Sequence, residues 1–142
     1  MGIGNQLRSD DGLGVEIIKQ LEKTINKENI ILINAETVPE NFTGKIKKEN
    51  PTHIIIIDAV IMEKPPGYIR IIKKEEIKKT NISTHSLSLN YLIKYLEQEK
   101  KYNILFIGIQ PKNLNLTKEI TNDVKESIYK LKNIILRLIN ET

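Results

Sequence analysis

The run His53-Ile54-Ile55-Ile56-Ile57-Asp58-Ala59 constrains this chain more than any other segment. Consecutive β-branched isoleucines leave a strand no polar face, so such a strand needs cover on both sides. A parallel strand inside a layered α/β sheet provides that cover. The run is no membrane span, because Asp58 breaks it far short of the roughly 20 apolar residues required. The flanking sequence fits the same architecture. Leu13, Ile17, Ile18, Leu21 and Ile25 fall on one helical face, with Glu16, Lys19, Glu22 and Lys23 turned away. Residues 30–33 read as a buried strand, and 39–48 as a short helix with Pro39 in its tolerated first-turn position. After the Pro65-Pro66-Gly67 turn, residues 68–72 form another strand, which the turn allows to run antiparallel.

Leu89, Leu92, Ile93 and Leu96 mark a further helix that Ser83 or Thr84 could cap. Residues 103–109 form the final strand. A last helix carries Ile120, Val124, Ile128, Leu131, Ile135 and Leu138 in register, with a cap at Thr117. The whole of 1–142 reads as one α/β domain, five strands between two helical layers. Only three residues precede the Gly4-Asn5 turn, fewer than the five or six of a typical strand, so the first strand is expected to be shortened.

Composition removes several function classes. The chain has no cysteine, which excludes disulfides, thiolate metal sites and a cysteine nucleophile. Its net charge of +4 comes from lysine pairs such as Lys47-Lys48 and Lys100-Lys101 with acids between them. Only Arg8, Arg70 and Arg137 offer planar forks, and aromatics for stacking are few, so no nucleic-acid partner is expected. The start Met1-Gly2-Ile3-Gly4-Asn5 lacks the charged and apolar regions of a signal peptide, and Gln6 stands where myristoylation needs Ser or Thr. A cytoplasmic protein without membrane insertion, working as a monomer, is the expectation.

Three segments carry the chemistry. The first is Gly2-Ile3-Gly4-Asn5-Gln6-Leu7-Arg8-Ser9-Asp10-Asp11-Gly12-Leu13-Gly14, a strand-to-helix turn. Leu7 fails the third glycine of a dinucleotide fingerprint, and no Gly-Lys-Ser/Thr follows to make a P-loop. Two adjacent acids would repel a phosphate. One of them can cap the helix, and the other can bind a metal. The second is Asp58, at the carboxyl end of a buried strand, where open α/β sheets place their ligands and where aspartates also form turns. The third is Ser83-Thr84-His85. Two oxygen donors and one imidazole without sulfur suit nickel, zinc or manganese with open positions. Ser83, Ser86 and Ser88 lie near His85, but no Gly-x-Ser-x-Gly elbow accompanies them. An aspartic dyad of Asp11 and Asp58 would leave His85 unexplained. His53 opens its strand and belongs at the opposite sheet edge.

In order along the chain, Gly2-Ile3-Gly4-Asn5, Arg8-x-Asp10-Asp11-Gly12-x-Gly14, Pro39-Glu40-Asn41, Asp58-Ala59, Pro66-Gly67, Ser83-Thr84-His85 and Gly108-Ile109-Gln110-Pro111 resemble the hydrogenase maturation endopeptidases. The likeness is greatest to the subgroup serving hydrogenase 3 (formate hydrogenlyase) type enzymes. It implies a three-layer α/β/α sandwich around a five-stranded mixed twisted sheet with the fourth strand antiparallel. It also implies an activity: removal of a C-terminal extension from the [NiFe] hydrogenase large-subunit precursor after nickel insertion. The metal ligands, which would also be the catalytic residues, map onto Asp11, Asp58 and His85. The nickel is then supplied by the substrate, and an incomplete ligand set senses it. Asn5, Glu40, Asn41 and Gln110 are expected to line the same cleft, with Asn41 and Gln110 able to pair with a peptide backbone. Of the two acids, Asp11 is expected to be the ligand and Asp10 to serve the loop and helix start.

Three other readings make different demands. A nucleotide-binding module would use the Gly2/Gly4 turn, with Glu36 on the ribose, and would ignore chelators. A metallohydrolase with its own metal would purify with that metal. A chaperone would dock the hydrogenase subunit without cutting it.

Overall fold

The computed structural model describes residues 1–79 and 83–141. Five strands form one sheet: β1 (Gly2–Ile3), β2 (Asn34–Glu36), β3 (His53–Ala59), β4 (Ile69–Ile72) and β5 (Asn103–Ile109). Their order is β2-β1-β3-β5-β4, with β4 antiparallel to β5 and every other pair parallel. The isoleucine run is central, as its composition demands. β3 pairs with β5 from His53↔Asn103 through Ala59↔Ile109.

Helices α1 (Leu13–Glu22) and α5 (Asn122–Glu141) cover one face. Leu13, Ile17, Ile18 and Leu21 pack there with Val124, Ile128 and Leu131 over Ile57, Ala59, Ile107 and Ile109. Helices α2 (Thr43–Glu49), α3 (Lys74–Lys79) and α4 (Ser86–Glu97) cover the other. On that side Ile46, Ile77, Leu89, Leu92, Ile93 and Leu96 meet Ile54, Ile56 and Phe106. Alternate residues of β3 thus enter different cores, so the expected three-layer sandwich is present. No helix among the described residues is long and apolar enough to cross a membrane.

Four local expectations change. The second strand is Asn34–Glu36 rather than 30–33. β1 pairs with β2 through Gly2↔Asn34 and Ile3↔Glu36, and the Gly2 N–H donates to the Ile33 carbonyl at 2.9 Å. Ile31 and Ile55 are exposed beside an apolar groove of about 430 Å³, and β3 is fully covered only toward its carboxyl end. The last helix starts at Asn122, so Thr117 does not cap it; the Thr117 Oγ1 accepts from the Glu119 N–H instead, at 3.3 Å. The 39–48 segment divides into a 3₁₀ turn, Pro39–Phe42, and α2. α3 is a short helix that the sequence reading left out.

α1 lies directly on the sheet at Gly14. A Cβ there would stand 2.3 Å from the Ile3 carbonyl oxygen and 2.4 Å from that of Ile57. Gly14→Ala must therefore push the helix off β1 and β3. We expect it to cost about 1–3 kcal/mol or more, read as a lower denaturant midpoint.

Candidate active site

The sheet order sets the position of the site. From β1 the chain turns through α1 to β2 on one side, while β3 lies on the other, and α1 and α2 cover opposite faces. Connections therefore diverge at the carboxyl ends of β1 and β3, which opens a crevice there. Asp11 reaches it from the 3₁₀ turn Ser9–Gly12 after β1. Gly4 makes that turn possible: at φ 155 it lets the strand end pass so close to the loop that a Cβ would lie 2.1 Å from the Asp11 carbonyl oxygen. Asp58 ends the isoleucine run in β3. His85 arrives from a different direction, because an antiparallel bridge between Val60 and Ser83 fastens the segment before α4 to the chain leaving β3.

The three predicted residues meet. His85 Nδ1 lies 3.4 Å from Asp58 Oδ2, and Nε2 lies 3.7 Å from Asp11 Oδ2. The imidazole thus presents one nitrogen to each carboxylate. Asp58 is wholly buried and Asp11 is 2% exposed. Asp58 Oδ1 accepts from the Ala59 N–H at 2.8 Å, and Oδ2 accepts the Ser83 hydroxyl. Asp11 Oδ2 accepts from the Asn5 N–H at 3.1 Å, and Oδ1 accepts the Thr84 hydroxyl at 2.7 Å.

Burial pushes the Asp58 carboxyl above its ordinary range, and its bonds from His85 and Ser83 offset this only in part. For His85, burial acts downward, but the hydrogen bond to Asp58 and the charges of Asp58 and Asp11 outweigh it. The net shift is upward. Both shifts favour the protonated forms.

Among the described residues, no group of three or more His, Asp and Glu side chains is arranged to hold a metal ion as it stands. The reason is visible in the bonding. The imidazole stands between the two carboxylates, in the space an ion would need. The chemistry of the set still fits one, with two carboxylates and an imidazole on a crevice.

The hydroxyls before His85 serve the carboxylates rather than the helix. α4 has no side-chain cap, which corrects the capping role expected of Ser83 or Thr84. Neither adjacent acid caps α1; Gly12 holds that position without a side-chain bond. Asp10 instead faces away from Asp11 and accepts the backbone N–H groups of Lys112, Asn113 and Thr121 at 2.8, 3.0 and 2.8 Å.

The expected substrate contacts have other surroundings. Gln110 Oε1 accepts from the N–H groups of Met62 and Lys64 at 2.6 and 3.4 Å, and its Nε2 donates to the Pro111 carbonyl. Its amide braces the loop after β3. Asn5 Oδ1 accepts from the Leu7 N–H, an Asx turn that shapes the Asp11 loop. Asn41 is exposed, and Glu40 Oε2 is buried without a hydrogen-bond partner among the described residues. Of Asn5, Glu40, Asn41 and Gln110, only Asn5 shows a hydrogen bond to one of the three converging groups among the described residues. His53 is exposed at the other end of β3, hydrogen-bonded to Thr52.

Comparison with known proteins gives one answer. The model of a family described as hydrogenase maturation protease matches residues 15–138, a stretch that includes Asp58 and His85. A putative hydrogenase maturation protease of Methanocaldococcus jannaschii is 42% identical over 148 residues, covering 99% of this chain and 87% of the relative. The hydrogenase 3 maturation protease of Escherichia coli K12 is 32% identical over 127 residues, covering 89% and 80%. The crystal structure of a [NiFe] hydrogenase maturation protease from Thermococcus kodakarensis KOD1 superposes with a TM-score of 0.87 at 28% identity, covering 98% of this chain and 89% of that one.

Proposed function

The chain belongs to the hydrogenase maturation protease family, and on that premise we propose that it cuts the C-terminal extension from a nickel-loaded [NiFe] hydrogenase large-subunit precursor. In this reading the nickel belongs to the substrate. The precursor's cysteines hold it, and Asp11, Asp58 and His85 supply the ligands that the precursor leaves open. The metal then positions the scissile peptide and polarises its carbonyl or a water. The observation that carries the reading is the meeting of two buried carboxylates across one imidazole, at 3.4 and 3.7 Å, on the crevice edge of the sheet.

In this reading the imidazole bridge accounts for selectivity. Without nickel, the imidazole bridges the two carboxylates. A nickel-free tail brings nothing able to open that arrangement. The nucleotide reading loses its ground, because Asp10 and Asp11 put buried carboxylates at the turn where a pyrophosphate would sit.

The purified chain is to be mixed with nickel-loaded and nickel-free precursor and the mass of the large subunit followed. We expect shortening only of the loaded form. Equal cleavage of both would overturn nickel sensing, no cleavage of either would favour a docking chaperone, and tight stoichiometric zinc would favour a metallohydrolase of its own.

A further inference from the structure

We propose that Thr84 is a positioning residue that locks the Asp11 carboxylate and the His85 ring into one metal-accepting arrangement. The argument is one of proton accounting. A threonine hydroxyl has a single proton, and an ionised carboxylate only accepts. At 2.7 Å from Asp11 Oδ1, the Thr84 hydroxyl gives its proton to that oxygen. The same Oγ1 lies 3.1 Å from His85 Nδ1, so toward the ring it can only accept. Nδ1 therefore carries a hydrogen.

The second neighbour of Nδ1 agrees, since Asp58 Oδ2 at 3.4 Å is also an acceptor. In the neutral ring this fixes the tautomer and leaves the lone pair on Nε2, the nitrogen that faces Asp11 Oδ2. Thr84 thereby sets both members of the Asp11–His85 pair at once. Ser83 holds the other carboxylate from the backbone side: its hydroxyl donates to Asp58 and accepts from the His85 backbone N–H at 3.0 Å. Hydroxyls and carboxylates that orient a metal-binding imidazole commonly change metal affinity 10–100-fold when removed. Thr84 is exposed, so the fold does not depend on burying it.

This inference rests on the proposed metal-facing role of Asp11 and His85, and its test uses no precursor. Ring ¹⁵N spectra of His85 in the full chain, at a pH where the ring is neutral, should show Nδ1–H. Ni²⁺ titrated into the full chain should bind Thr84→Val about 10-fold or more weakly than the parent, while Thr84→Ser stays within about threefold. Thr84→Ala should repeat the loss should the valine variant not fold. An Nε2–H ring in the parent overturns the inference without any variant, as does unchanged Ni²⁺ affinity in a folded Thr84→Val or Thr84→Ala. A chain that cuts nickel-loaded precursor selectively but fails these measurements keeps the proposed function and loses this role. One that passes them but cuts nothing does the reverse.

Discussion

Asp11→Asn is expected to fold like the parent and to process nickel-loaded precursor at least about 100-fold more slowly, since losing a metal-binding carboxylate should exceed the 10–100-fold effects of its supporting groups. An asparagine can satisfy the local bonding. Its oxygen can accept from the Asn5 N–H, and its amide can donate to Thr84 Oγ1, whose proton is free to turn. What disappears is the negative charge facing His85 Nε2. The checks are a thermal melt beside the parent and the rate of large-subunit shortening. Parent-like processing would remove Asp11 from the metal-facing set.

The neighbouring acid should behave in the opposite way. Asp10 is wholly buried, and its carboxylate accepts three backbone N–H groups and the Thr121 hydroxyl. Asp10→Ala leaves those donors without a partner, at about 1–3 kcal/mol for each that water cannot reach. We expect a loss of about 3–5 kcal/mol and a melting temperature lower by roughly 10 °C or more. Ser9 shares the same seam. It is held at φ 51, with its N–H on the Thr117 carbonyl at 2.6 Å and its hydroxyl on that of Glu119 at 2.7 Å. Cleavage should remain measurable below the new melting point, because Asp11, Asp58 and His85 keep their own bonds. A folded, inactive Asp10→Ala beside an active Asp11→Asn would reverse the two roles.

Several features were legible because local rules decide them. An apolar run with no polar face has to be a covered strand, so β3 and β5 were read with the bounds the structure gives. Helical spacing placed the cores of α1, α4 and α5, and the end of β3 marked Asp58 as a residue on the ligand edge. Other features depended on distant partners. Whether residues 30–33 pair depends on how much of β1 lies beside them, which no property of that segment encodes. A Ser-Thr pair before a helix reads as a cap, yet here both hydroxyls turn to carboxylates 25 and 73 positions earlier in the chain.

The amino-acid sequence by itself determined the layered α/β class, the central strand and the absence of thiol chemistry, and it marked Asp58, His85 and one of the pair Asp10-Asp11 as ligand candidates. Those follow from side-chain type and spacing, which act within a few residues. Only the tertiary structure decided that the imidazole stands between the two carboxylates, that Asp10 clamps residues 112–121, that Gln110 braces the loop after β3, and that Thr84 joins Asp11 to His85. Each of those is a hydrogen bond or ion pair between chain segments that meet only once the sheet is assembled. A buried donor or acceptor takes the partner that the finished fold brings within about 3 Å, however far away it lies in the sequence.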